Sequence, residues 1–194
     1  MSIFKILLLG SLVCAQARGQ TLLAVPDTRQ STDYSCGAAA LQAVLAYYGK
    51  EVREDQLMRQ LGSDPEQGSS PGAIVRVARS YGLLADLRQS MQIEDLQQLV
   101  RDGFPTIVCA QAWRDGSQPW SEDWDDGHYL VVIGVDEERV YFEDPSLLGS
   151  RGQILRADFL SRWHDVEGDG TRYLQAGIVL RGKPRPPAAL VPIE

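Results

Sequence analysis

A change of hydrophobic period near the middle of the chain most constrains what it can fold into. Up to Gly103 the apolar residues recur at helical spacing. Leu41, Val44, Leu45 and Tyr48 mark one helix over 36–48, and a second is expected over 53–61. Pro71 opens a third, with the stripe Ile74, Val77, Ala78 and Tyr81, and a fourth runs over 93–101. Gly49, Gly62, Gly82 and Gly103 follow as stops, and the polar stretch 63–70 reads as a loop. Beyond Gly103 come short runs rich in Val, Ile and aromatics, over 106–113, 128–135, 139–143 and 173–180, interrupted by a short helix over 157–163. Helices first and antiparallel strands afterwards predict an α+β fold in which the N-terminal helices pack on one antiparallel sheet.

The 194 residues, 44% hydrophobic and 23% charged, suit a single core. Residues 1–17 read as a secretory signal: Lys5, an apolar run over 6–13, then Ala15-Gln16-Ala17 as the cleavage site. That run is shorter than the roughly 20 residues a membrane span needs, so export to a periplasm or the exterior is expected. A lipoprotein reading would instead modify Cys14, behind the bulky Val13. The folded domain is expected over 18–182, with a loose Pro-rich tail over 183–194. A net charge of −7 excludes a nucleic-acid binder, which needs clustered Lys and Arg, and favours peptides or neutral substrates.

Chemistry centres on few residues. Cleavage of the signal would leave Cys36 and Cys109. In an oxidising compartment they could pair, but their contexts differ. Cys109 lies within an expected buried strand, where a thiol acts as a small hydrophobe. Cys36 opens a helix, where the macrodipole and unpaired N–H groups favour thiolate and where Ser35 could cap. The chain has two histidines, so a base for Cys36 is His128 or His164. His128 opens one strand and Asp144 follows the next. A turn near Asp136 would make them cross-strand or diagonal neighbours, the geometry of a carboxylate orienting an imidazole. His164 is followed directly by Asp165 at the end of the expected short helix, where adjacent side chains do not face each other.

Gln30-Ser-Thr-Asp-Tyr-Ser-Cys36-Gly-Ala-Ala-Ala-Leu, ending at Gly49, resembles the active-site motif of the bacteriocin-processing, double-glycine-type cysteine peptidase family. Gly127-His128-Tyr-Leu-Val-Val-Ile-Gly134 and Phe142-Glu-Asp144-Pro145-Ser resemble its His and Asp motifs. The resemblance implies a papain-like fold, with Cys36 as nucleophile, His128 as base and then acid, Asp144 as orienter and Gln30 as oxyanion donor. A Gln side chain ahead of the helix can turn back toward the sulfur, and the backbone N–H of Cys36 is a natural second donor. Ser35 stands where many members carry Asp. With no export-ATPase segment in the 194 residues, a stand-alone exported member is expected, without assured double-glycine specificity.

The expected function is hydrolysis of a peptide or protein substrate through a thioester, which requires no metal or organic cofactor. The rivals are a papain-like amidase or acyltransferase on cell-wall peptides, and a non-catalytic peptide-binding module. The segment from Trp113 to Gly127 holds three Trp and five acids. It is expected to be a solvated acidic loop covering substrate and favouring basic or extended polypeptides.

Overall fold

The computed structural model describes residues 22–183 apart from residue 115. The expected signal over 1–17, Cys14 within it, and nearly all of the expected tail lie outside the described residues. Helix α1 (Cys36–Tyr47) is enclosed on nearly every side. The alanines that follow Gly37 are fully buried, as are Leu41, Val44 and Leu45. Small side chains bring neighbouring backbones close, so this helix can be central where a one-sided amphipathic helix could not. Around it pack α2 (Glu54–Leu61) and α3 (Pro71–Ser80). The four glycines expected as helix stops all take positive φ, between 69° and 80°.

The chain continues through β1 (Leu84–Arg88), α4 (Ile93–Arg101), β2 (Thr106–Gln111), β3 (Gly127–Val135) and β4 (Arg139–Glu143). Then come β5 (Gly152–Leu155), α5 (Arg156–Arg162), β6 (His164–Val166), β7 (Arg172–Leu174) and β8 (Gly177–Arg181). Six strands form one antiparallel sheet in the order β1-β8-β2-β3-β4-β5, while β6 and β7 make a separate ribbon. The sheet is covered on both faces. Ile107, Val131 and Ile178 pack toward α1–α3, whereas Val108, Leu130 and Val132 pack toward α4 and α5 with Phe159 and Trp163. Burial on both faces is why β2 and β3 read as unbroken apolar runs rather than alternating ones.

Three expectations change. The strand over 173–180 is two strands in two sheets, because Gln175 has φ 46° and breaks the extended path. Trp163 holds that break, its carbonyl accepting from Gln175 N at 2.9 Å and its indole donating to Ala176 O at 2.8 Å. The strand expected to reach Trp113 ends at Gln111, and His164 opens β6 instead of ending a helix. β1 and β5 carried no strand signal because each is a short edge strand with polar residues among its apolar ones.

Glu143, at the end of β4, is fully buried and ties this sheet to the segment preceding α1. Its Oε1 accepts from Thr28 N at 2.7 Å and lies 2.9 Å from the Thr28 hydroxyl, while Oε2 has no hydrogen-bond partner among the described residues. Burial raises its pKa from 4.5 to about 7, against the opposing bonds from Thr28. The folded state therefore keeps a proton that the unfolded chain has released, and stability falls as pH rises from 4.5 to about 7. The slope from this group is at most about 1.4 kcal/mol per pH unit. Urea unfolding across that range is expected to show Glu143→Gln losing less stability than wild type as pH rises. Equal slopes in the two proteins would mean that the titrating proton sits elsewhere.

Candidate active site

Cys36 is the first residue of α1, and Ser35 occupies the N-cap position. Ser35 does not cap through its side chain as expected. Its Oγ turns back into the preceding turn, donating to Thr32 O and accepting from Thr32 N, both at 3.0 Å. The first amides of the helix are thus not capped by the Ser35 side chain, and the first turn holds no acidic residue. The Cys36 sulfur takes up this positive end, near enough to the backbone of Gly37 and, from β3, of Tyr129 for both to lower its pKa. Gly37 makes that contact feasible. A Cβ there would lie 3.1 Å from both Ser69 Cβ and Tyr129 Cδ2, and the Tyr129 ring is pinned by its hydroxyl donating to Ser69 O at 2.9 Å.

The β3–β4 pairing brings His128 to Asp144. Val131 pairs with Glu143 and Val132 with Phe142, and a bulge before Gly134 shifts the register by one. Continued past Glu143, this register sets Asp144 opposite Leu130, so His128 is its diagonal neighbour on the same face. Of the two arrangements expected, the diagonal one is realised, and the turn is centred later than Asp136. His128 Nε2 lies 2.7 Å from Asp144 Oδ1, and both side chains are buried. The other ring nitrogen, Nδ1, is the one left to meet the Cys36 sulfur, and the two groups lie near enough for each to shift the other's pKa.

Burial by itself would raise the Cys36 pKa, but the hydrogen bond and charge of His128, with the Tyr129 and Gly37 backbone, bring it below the usual thiol value. Burial would lower that of His128, yet Asp144 and the Cys36 sulfur raise it to about 9. Each partner favours the charged form of the other, which shifts the pair toward thiolate and imidazolium.

Gln30 belongs to the same end of the molecule. Its backbone N–H donates to Pro145 O at 3.0 Å, its side-chain Oε1 is 3.4 Å from Ser146 Oγ, and its Nε2 donates to Thr32 O at 2.9 Å. One amide hydrogen is thereby engaged and the other remains. Two partners of Asp144 escaped the sequence reading. Ser146 N donates to Oδ1 at 2.9 Å, and Trp113 Nε1 donates to Oδ2 at 3.1 Å. Nothing in a Trp at a strand end signals such a bond, because the partner lies 31 residues away.

His164 is not brought to Cys36. Its Nε2 bonds to Asp123 O at 2.7 Å and its ring packs on Trp124 at 4.4 Å, so it is a buried structural histidine. The acidic loop from Trp113 to Gly127 is less solvated than expected, since buried Asp123 pairs with Arg114 at 3.3 Å. Cys109 is buried in β2, but it is more than a small hydrophobe: its thiol donates to Asp165 Oδ2 at 2.8 Å. Burial, and then that carboxylate, push the Cys109 pKa well up. Both cysteines are free. Cys36, Cys109 and Asp165 line one cleft of about 520 Å³. The cleft also carries Asp33, Asp64, Glu66, Asp125 and Glu167, and no Lys or Arg among its described residues.

The model of the Peptidase_C39 like family matches residues 22–170. The chain is 26% identical over 139 residues to the pediocin PA-1 transport/processing ATP-binding protein PedD of Pediococcus acidilactici, covering 72% of this chain and 17% of that protein. It is 32% identical over 139 residues to an uncharacterized protein of Methanothermobacter marburgensis, covering 69% of this chain and 79% of that one. Among solved structures it is similar to a double glycine motif protease from an AMS/PCAT transporter in complex with the leader peptide. That match has TM-score 0.59 and 25% identity, covering 87% of this chain and 96% of the other.

The contrast between the thiols is directly testable. A limiting amount of iodoacetamide at about pH 6, where an unperturbed thiol is almost wholly protonated, should label Cys36 in the folded protein and spare Cys109. His128→Ala should slow the labelling. Mass mapping that found Cys109 preferentially alkylated would contradict the thiolate–imidazolium pair.

Proposed function

The chain belongs to the Peptidase_C39 like family and is a cysteine peptidase, and from that premise we propose that Cys36, His128 and Asp144 are its catalytic triad and Gln30 an oxyanion donor. The observation that carries the reading is the contact of His128 Nε2 with Asp144 Oδ1 at 2.7 Å, in a ring near enough to the Cys36 thiol for each to shift the other's pKa. The thiolate attacks the carbonyl carbon of the scissile peptide bond, and the carbonyl oxygen becomes an oxyanion. The Gln30 amide hydrogen not used by Thr32 and the backbone N–H of Cys36 would stabilise it. Collapse breaks the C–N bond as His128 Nδ1 gives its proton to the leaving amine, and a thioester remains on Cys36. Water, losing a proton to His128, then hydrolyses the thioester and regenerates the thiolate. Asp144 accepts from Nε2–H and holds the ring in place throughout. No step calls on a metal or organic cofactor.

A peptide substrate is supported by the leader peptide bound to the related protease. The acidic cleft beside Cys36 supports a finer reading, in which peptides with basic residues on that side are preferred. Export remains part of the proposal and rests on the leader-like segment over 1–17.

The direct test profiles the purified protein on a diverse peptide library, with Cys36→Ala as the blank. Cleavage confined to the protein with Cys36 is expected, and identical profiles would point to a peptide-binding module. Trapping with an added amine separates hydrolysis from acyl transfer. Gln30→Ala is expected to fold normally and lose about 10²- to 10³-fold in kcat, the usual loss for one oxyanion donor. An unchanged kcat would remove Gln30 from the mechanism. Adding salt should raise KM for basic peptides more than for neutral ones, since screening shortens the reach of the cleft's charges. Equal salt dependence would count against the basic preference.

A further inference from the structure

We propose that Trp113 is a positioning residue of the triad, holding Asp144 by the oxygen that His128 does not use. The inference rests on the assignment of His128 and Asp144 given above. Asp144 Oδ1 already accepts from His128 Nε2 at 2.7 Å and from Ser146 N at 2.9 Å. Its Oδ2 accepts from the Trp113 indole at 3.1 Å, and among the described residues no other hydrogen bond is made to that oxygen. A carboxylate tethered through one oxygen can still turn about its Cβ–Cγ bond, whose torsional wells are broad. The indole closes that freedom. Because the imidazole is rigid, the direction of its Nε2–H bond also sets where Nδ1 points relative to the sulfur.

The backbone of Trp113 argues independently for this role. It has φ 60°, the left-handed region that a bulky aromatic residue rarely enters. Burial does not explain the strain, since Trp113 is 59% exposed. The strain is held in place from both sides. Before it, Ala112 N donates to Asp126 O at 3.0 Å, and Gln111 Oε1 accepts from Asp126 N at 2.9 Å, closing the base of the loop. After it, Arg114 lies 3.6 Å from the Trp120 ring centroid and pairs with buried Asp123. The loop therefore delivers one donor to one oxygen in a fixed direction.

Trp113→Phe keeps the ring and removes the donor. Trp113→Gly accepts positive φ without strain, so it removes the donor even if the Phe variant folds poorly. Both are expected to lower kcat on the order of ten-fold with KM little changed, as a small misplacement of a reacting group would. The pH dependence of Cys36 alkylation gives a readout that needs no substrate. It should move to higher pH in both variants, by less than in Asp144→Ala, and Trp113→Phe should add nothing in the Asp144→Ala background. A loss confined to KM, an unmoved or oppositely moved alkylation profile, or full additivity with Asp144→Ala would overturn the proposal. Wild-type protein without Cys36-dependent cleavage of any library peptide would instead sink the peptidase mechanism, and the alkylation series would still decide the role of Trp113.

Discussion

The site depends on the helix N-terminus of α1 meeting the first residues of β3. A thiol gains little from a histidine that it cannot reach, and the meeting requires a large ring to pass within contact of a helix. Gly37 supplies the space and the Tyr129 hydroxyl fastens the ring to Ser69. That fastening brings the Tyr129 backbone onto the sulfur and His128, one residue earlier, beside it. The Cys-Gly and His-Tyr pairs of the sequence are thus two sides of one packing contact, and the electrostatics follow from it.

The region beneath the site is polar and fully engaged. Gln111 joins His164 O and Asp126 N, Cys109 donates to Asp165, and Asp165 would collide with any Cβ at position 127. Buried polar groups without partners are costly, so this network restricts how β2, β3 and β6 can move against one another. It carries a cysteine and an aspartate into the same cleft as Cys36, yet with opposite consequence. Cys109 faces a carboxylate and remains a thiol, whereas Cys36 faces an imidazole and the helix terminus and is favoured as a thiolate. The neighbour's charge, more than burial, separates the two.

Periodicity was enough for the four N-terminal helices and for β2, β3 and β4, because those elements are long or deeply buried and their residue pattern reports burial directly. It failed for β1, β5, β6 and β7. These are short strands at sheet edges or in a two-stranded ribbon, stabilised by partners distant in sequence and carrying little pattern of their own. It also ran β7 and β8 together, since the turn at Gln175 is imposed by Trp163 and not by a Gly or Pro.

Cys36 at a helix start, His128 opening a strand and Asp144 following the next were determined by the sequence itself. Local spacing sets each, and a hairpin keeps its two strands in register. The tertiary structure alone decided that His128 meets Asp144 diagonally, that the Ser35 hydroxyl leaves the helix terminus open, and that Trp113 reaches Asp144. Those outcomes depend on side-chain directions and on contacts across tens of residues. A bulge in one strand or a positive φ in one loop redirects them, and neither leaves a periodic trace in the order of the amino acids.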